Sequence, residues 1–471
     1  MEIYFVLLSL NRTFAENRII MENLPRGCRI ISFPSKNDER GSLSFAEGQK
    51  HIPFPIERVF WIYDVPEGQK RGEHSHNECS EVIVPVSGCF DIEVDDGVQQ
   101  ASVHMDSPTK GILIPPGVWC RLQNFQPGTA CVVFASHPYN AAGYTHSYNT
   151  FRESIVRTMC YDASHAEEWN RLVAESKNAT FLLDRRYMDY HADRFSDCSL
   201  LFYKKGVLIA ALPANFVETE KTVYSHGGLT YGGLILSPSI TAVEALEVFN
   251  CAMHHFCTQM EATRWIYKPI PYIYHRLPAE EDLYALFLSG GKIYARAISS
   301  VIDLQHRLPM RKLRQRGVDK AMKASITYSE SSDFSLFWPI LTEVLQTKHG
   351  KSPVHTLEEI TYLHDLWPQN IRLFVAQAGE EVLAGTVIYE TDTVVHAQYI
   401  SSSDNGKQLG ALDGLFDYLI NERYSDKKWF DFGISTEQGG TYLNEGLMFQ
   451  KEGFGARAVV YDQYEISLAE R

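Results

Sequence analysis

Two histidines one residue apart sit in a frame of fixed spacing, Gly68-x5-His74-x-His76-x4-Glu81-x6-Gly88. Side chains alternate between the faces of an extended strand, so His74 and His76 share one face. A lone histidine is more often a satisfied core residue. A same-face pair bracketed by glycines instead asks for a strand whose inner face opens on a site. The surrounding chain agrees. Arg58 to Val65, Glu81 to Ser87, Phe90 to Val94 and Cys131 to Ser136 are short apolar or alternating runs, bounded by turn signals such as Asp96-Gly97 and Pro115-Pro116-Gly117. Many short strands with frequent turns predict an all-β sandwich or barrel over residues 26–152.

The histidine frame follows the first cupin motif. Gly111, Pro115-Pro116-Gly117, Cys120 and Asn124 follow the second, with Cys120 at its histidine position. The segment therefore resembles a cupin, a jelly-roll barrel. Gly41-Ser-Leu43, Ile52-Pro-Phe54, Arg58-Val-Phe-Trp-Ile-Tyr-Asp64, Arg71-Gly-Glu-His74-Ser-His76, Asp95-Asp96-Gly97 and Val118-Trp119 look more narrowly like the dTDP-4-keto-6-deoxyglucose 3,4-ketoisomerase family. That resemblance implies a metal-free cupin acting on a dTDP-linked deoxy sugar, as a homodimer through this domain. Three positions depart from the family pattern: Glu81 stands for glutamine, Cys120 for histidine, and Tyr139-Asn-Ala-Ala-Gly-Tyr144-Thr-His-Ser-Tyr148 for an acidic closing stretch. His74, His76 and Glu81 are also the ligand types of metal-binding cupins, and cysteine ligates too, so a metal site stands as the alternative.

The chemistry suits the residues. Moving a carbonyl from C4 to C3 requires removing the C3 proton, forming an enediol and delivering a proton to C4. Histidine titrates near neutrality and serves as base and then acid, so His74 and His76 are the expected catalytic pair. Arg71 and Arg58 are expected to stabilise the enediolate or the diphosphate through charge-assisted bonds. Glu81, Trp119 and Tyr144 complete the expected substrate pocket, Trp119 reading equally as a core residue.

After Arg152 the texture becomes mixed α and β. Thr241 and Glu244 form a capping-box pattern ahead of Val243, Leu246, Met253 and Phe256, and residues 410–423 carry Leu412, Leu415, Phe416, Leu419 and Ile420 on one helical stripe. Strands are expected at Val382 to Tyr389, Val394 to Ile400 and Lys428 to Phe432. A basic segment (Arg307, Arg311, Lys312, Arg314, Arg316, Lys320, Lys323) reads as a solvated helix face, with a phosphate-binding patch as the alternative.

Trp429-Phe-Asp431-Phe-Gly433, then Gly446-Leu447, Phe449-Gln-Lys451 and Gly453-Phe-Gly-Ala456, resemble the FemAB-like group of GNAT-type acyltransferases. The resemblance implies α+β tandem GNAT-like halves, 155–300 and 301–471, meeting near 300–325. With acyl-CoA as donor, acetyl-CoA first, the pantetheine would lie along the strand bearing Gln398 and Ser401. A small-residue loop opening a helix offers N–H groups to a pyrophosphate, which makes Gly406, Lys407, Gln408, Gly410 and Ala411 the expected cradle, with helix capping as the alternative account of the glycines. His396, Asp431 and His349 are the candidate bases.

Composition narrows the class. A net charge of -14 argues against a nucleic-acid partner. Nine scattered cysteines without a CxxC pair indicate reduced thiols. Ile3 to Leu10 is too short for a membrane span and lacks a basic leader, so residues 1–25 read as an extension of a cytoplasmic protein with no membrane partner. The expectation is a multidomain, bifunctional enzyme. Its ketoisomerase and N-acyltransferase would serve dTDP-3-amino-3,6-dideoxyhexoses for lipopolysaccharide O-antigen or S-layer glycans. The alternative is a non-catalytic sugar-binding cupin joined to a FemAB-like aminoacyl or acyl transferase of cell-wall precursors.

Overall fold

The computed structural model describes residues 24–25, 27–97 and 99–468. The side chains of Lys348 and His349 lie outside that description, so the candidate base His349 does too, as does residues 1–23 of the expected extension. The chain divides into two compact units, one reaching to Arg157 and including Tyr203–Val207, the other comprising Thr158–Phe202 and Leu208 onward.

In the first unit, two five-stranded antiparallel sheets enclose an apolar core. One runs in the order Arg29–Ser32, Lys110–Ile114, Glu81–Ser87, Ala130–Ala135, Arg58–Tyr63; the other runs Tyr144–Thr145, Arg71–His76, Trp119–Gln123, Phe90–Asp95, Gln100–Met105. Phe90, Ile92, Val94 and Leu122 from one sheet meet Ile83, Ile112, Cys131 and Val133 from the other, the period-two pattern of strands with one buried face. The strand Arg58–Tyr63 is an edge whose outward residues are apolar: Val59, Trp61 and Tyr63 are 47%, 65% and 58% exposed.

The second unit is built on one ten-stranded mixed sheet. Its order is Asn215–Val217, Thr222–Tyr224, Arg264–Tyr267, Arg457–Ser467, Lys292–Asp303, Trp429–Ile434, Val394–Ser402, Glu381–Glu390, Ile371–Ala378, Thr327–Ser331. The expected boundary at 300/301 falls inside the strand Lys292–Asp303. The C-terminal strand Arg457–Ser467 pairs with Arg264–Tyr267 on one side and with Lys292–Asp303 on the other. Strands of both expected halves, 155–300 and 301–471, therefore share one hydrogen-bonded sheet.

The helix Ala242–Thr258 starts where the capping box places it, with Thr241 and Glu244 bonding reciprocally. It buries Ala245, Val248, Phe249, Ala252 and Phe256, while Val243 is exposed at the first turn. Residues 410–423 form the helix Ala411–Tyr418 and a π-helical turn Leu419–Arg423, burying Leu415, Phe416, Leu419 and Ile420. Among the described residues no helix is long and apolar enough to cross a membrane.

Candidate functional site

In the first unit, His74 and His76 stand on the strand Arg71–His76, with ring centroids 4.9 Å apart. Gly72 shapes this strand: its φ is +74°, and a Cβ there would lie 2.9 Å from the Cys120 carbonyl. Only glycine takes that conformation and approach without strain. The Gly72 carbonyl is 3.0 Å from His74 Nδ1. A carbonyl only accepts, so Nδ1 carries the proton and Nε2 keeps its lone pair. His74 Nε2 is buried without a hydrogen-bond partner among the described residues. Burial, then the neighbouring His76, lower the His74 pKa below its usual 6.5, against a smaller opposing pull from Glu81. The ring is thus poised as a neutral base.

Glu81 is buried beside the pair, its Oε1 3.1 Å from His76 Nε2 and 3.4 Å from the Arg58 guanidinium. Tyr144 enters by pairing with His76 across the short strand Tyr144–Thr145. Its ring centroid is 4.4 Å from that of His76 and 5.0 Å from that of His74, and its hydroxyl is 3.3 Å from Arg58. Arg58, Glu81 and Tyr144 therefore gather at the histidine pair. His74, His76 and Glu81 offer ligand atoms within 4.8 Å of one another, a geometry that would hold a divalent metal. Cys120 is not part of that cluster; burial raises its thiol far above the usual value and keeps it protonated.

Two expectations are corrected. Trp119 pairs with Ser75 while Cys120 pairs with His74, so Trp119 lies on the face away from the histidines. It packs against Tyr148 and Phe151, ring centroids 5.2 and 5.7 Å away, as a core residue and not a pocket wall. Arg71, exposed at the start of the strand, makes no hydrogen bond or ion pair with the cluster among the described residues. Sequence reasoning missed two members. His146 stacks on Tyr144 at 5.4 Å and lies 5.9 Å from His74, and Tyr139 lies under Arg58 at 5.6 Å. Both belong to the 139–148 stretch, whose departure from the family pattern was the available signal.

In the second unit, His396 and Asp431 occupy matching positions on the parallel strands Val394–Ser402 and Trp429–Ile434. Their pairing ends at this couple, although the strands continue, so the sheet forks immediately beyond it. Asp431 is fully buried. Its carboxylate accepts from Ser299 Oγ (2.5 Å), Tyr461 OH (2.7 Å), His396 Nδ1 (2.8 Å), the Gly433 N–H (2.8 Å) and Tyr274 OH (3.3 Å). Burial alone would raise its pKa. The charge and hydrogen bond of His396, with the bonds from Ser299 and Tyr461, outweigh burial and bring it down to about 2. With Nδ1 committed to the carboxylate, Nε2 is the ring nitrogen left for chemistry. His396 and Gln398 line a narrow pocket together with Tyr231, Tyr274 and Tyr389. Lys451 donates to the carbonyls of Gly433 (2.9 Å) and Ile434 (2.7 Å), pinning the turn after Asp431, and burial lowers its pKa to about 8. Ser299, Tyr274 and Tyr461 carried no sequence signal, because each arrives from a different distant segment.

The expected pyrophosphate cradle is corrected. A Cβ at Gly406 would lie 2.3 Å from the Leu383 carbonyl, and one at Gly410 (φ +73°) 2.2 Å from the Gly317 carbonyl. The Gly406 N–H is taken by Ser403 Oγ, and Ala411 is buried. Gly406 thus packs against the strand Glu381–Glu390 and Gly410 against the helix Lys312–Lys323, so both glycines answer close backbone packing. Lys407 pairs with Asp404, Gln408 is exposed, and Ser401 Oγ donates to the Ile340 carbonyl. In the basic segment, Arg311 pairs with Glu452 and Arg314 with Asp413, while Lys312, Arg316, Lys320 and Lys323 are exposed.

Residues 26–156 match the family described as FdtA: WxcM-like, C-terminal. The TDP-4-oxo-6-deoxy-alpha-D-glucose-3,4-oxoisomerase of Aneurinibacillus thermoaerophilus is 33% identical over 129 residues, 27% of this chain and 93% of the relative. A solved 3,4-ketoisomerase from Helicobacter canadensis is 36% identical, with a TM-score of 0.26, covering 27% of this chain and 95% of its own. FemX is 11% identical with a TM-score of 0.47, covering 67% of this chain and 98% of its own.

Proposed function

Through residues 26–156 the chain belongs to the FdtA, WxcM-like family of TDP-sugar 3,4-ketoisomerases, and from that premise we propose that its first unit converts dTDP-4-keto-6-deoxyglucose to the 3-keto isomer. The observation that carries this reading is the buried, partner-free Nε2 of His74 beside the His76–Glu81 pair. His74 takes the C3 proton, electrons move into an enediolate, the hydroxyl proton passes from O3 to O4, and His76 returns a proton to C4, which leaves the carbonyl at C3. Arg58 and Tyr144 face the developing oxyanion, where a fixed cation and hydroxyl stabilise charge without reorganising. The reading is metal-free, since Glu81 already has the Arg58 guanidinium beside it and a second cation there would be repelled. Incubation with dTDP-4-keto-6-deoxyglucose, followed by NMR with and without EDTA, tests both points. No product sinks the isomerase. Loss with EDTA and recovery with one divalent metal makes the cluster a metal site. The exposed apolar edge of Val59, Trp61 and Tyr63 supports assembly as a homodimer through this unit.

For the second unit we propose N-acylation of a dTDP-3-amino-3,6-dideoxyhexose by acyl-CoA, acetyl-CoA being the first donor to try. The amine nitrogen attacks the thioester carbonyl as His396 Nε2 takes its proton. The tetrahedral intermediate then expels the CoA thiolate, which recovers that proton. The His396–Asp431 couple at the sheet fork supports this reading, because the opening strand edge from Gln398 onward offers backbone partners to a pantetheine arm. Release of free CoA thiol on mixing the chain with acetyl-CoA and the amino sugar is the test. Transfer from aminoacyl-tRNA instead would assign the unit to cell-wall chemistry.

A further inference from the structure

The helix Lys312–Lys323 turns two different faces to its surroundings. Inward, Gly317 and Ala321 are buried, and Gly317 meets Gly410 and Asp413. The arginines at that side are committed: Arg311 pairs with Glu452 at 3.0 Å and Arg314 with Asp413 at 2.7 Å. Outward, Lys312, Arg316, Lys320 and Lys323 are exposed and make no ion pair among the described residues. At about 100° per residue the four fall within an arc of about 80°, one continuous stripe of positive charge. Asp319, half-buried at its margin, is the one acid of the helix.

The stripe has apolar borders. Leu313 on one side is 51% exposed and Met322 on the other 69%. Leu308, just before the helix, and Phe449, over whose ring the Arg311 guanidinium lies at 4.7 Å, add exposed apolar surface at its start. Exposed apolar groups beside unpaired cations fit one kind of partner best. A nucleic-acid backbone would take the cations and leave Leu313 and Met322 in water. The boundary between anionic headgroups and acyl chains takes both at once. With a net charge of -14, the rest of the chain is repelled by such a surface, so the attraction turns this face toward it.

We propose that the outer face of the helix Lys312–Lys323 docks the chain on an anionic lipid surface, with its four cations against the headgroups and Leu313 and Met322 in the boundary beneath them. The docking is peripheral, since among the described residues no helix is long and apolar enough to cross a membrane. Carried by exposed charges, it weakens with salt. It stands apart from the reactions proposed for either unit.

The test sediments the full chain with vesicles of phosphatidylcholine alone and of phosphatidylcholine with phosphatidylglycerol. The unaltered chain should bind the mixed vesicles far more tightly than the neutral ones and lose that preference in high salt. Arg316→Gln and Lys323→Gln should each weaken binding to the mixed vesicles about fivefold, the share of one cation near an anionic leaflet. Met322→Gln leaves the charge unchanged and should still weaken binding roughly threefold or more, because it removes an apolar contact. All three sites are exposed and glutamine is a good helix former, so each variant should melt like the unaltered chain. Equal or absent binding to the two vesicle types, or full binding by the Arg316→Gln, Lys323→Gln double variant, overturns the proposal. So does an unchanged affinity in Met322→Gln, or a single-stranded oligonucleotide that displaces the vesicles at equal phosphate, since either makes the face a general polyanion site.

Discussion

Replacing Asp431 with asparagine keeps the shape of the second unit's buried hub and removes only its charge. The carboxylate receives five donors, from Ser299, Tyr461, His396, Gly433 and Tyr274. An asparagine has one oxygen to accept them and turns an N–H2 toward the rest. The His396 ring relieves that clash by moving its proton from Nδ1 to Nε2, so the nitrogen that faces the pocket no longer accepts a proton. The same exchange in a Ser-His-Asp triad lowers kcat by about 10⁴, and a loss of ~10³–10⁴ is expected here. The hub also weakens. Leaving buried donors unpaired costs about 1–3 kcal/mol each, and more than one of the five loses its acceptor. That corresponds to a fall in Tm of roughly 10 °C for a unit of this size. The assay is release of CoA thiol at 25 °C, with isomerase turnover of the same sample as an internal measure of intact protein. In the unaltered chain the Asp431 pKa is lowered to about 2. Its contribution to stability is therefore complete above the unfolded value of 3.8 and is lost as pH falls through about 2. The rate profile should accordingly show no Asp431 limb above pH 4. A kcat within tenfold of the original, in protein that still melts cooperatively, would refute the dyad.

Three further outcomes are expected. His74→Asn should lower isomerisation at least ~100-fold without touching acyl transfer. Because the His74 pKa lies below 6.5, the acid limb of the isomerase rate, where Nε2 protonates, should fall below pH 6.5; an acid limb above 6.5, read by NMR, would contradict this. Trp61→Lys should shift the particle from dimer toward monomer in light scattering, and an unchanged mass would remove that edge from the interface. Gly410→Ala should destabilise by about 2–4 kcal/mol, combining left-handed strain with overlap against the Gly317 carbonyl, while a neutral Tm would mean that the helix Lys312–Lys323 yields freely.

Much of the first site is legible in sequence because its members are local in strand geometry. His74 and His76 share a face by period two, and Glu81 follows five residues on. Trp119 misled because its face depends on register: its pairing with Ser75 puts it on the side of Tyr148 and Phe151. The glycines of the 406–411 loop misled for a similar reason. A glycine that admits a phosphate and one that admits a neighbouring backbone look alike until the neighbour is known, and here the neighbours are Leu383 and Gly317.

By itself, then, the sequence determined what short-range rules govern: which strands alternate, where Thr241 and Glu244 start a helix, and that two histidines share a wall. Only the tertiary structure decided that His396 and Asp431 meet at 2.8 Å from strands 35 residues apart, and that Ser299, Tyr274 and Tyr461 converge on the same carboxylate. Backbone periodicity is a property of a short window. The register between distant strands is set by the packing of the whole sheet, and it is register that makes a buried charge and a histidine into a pair.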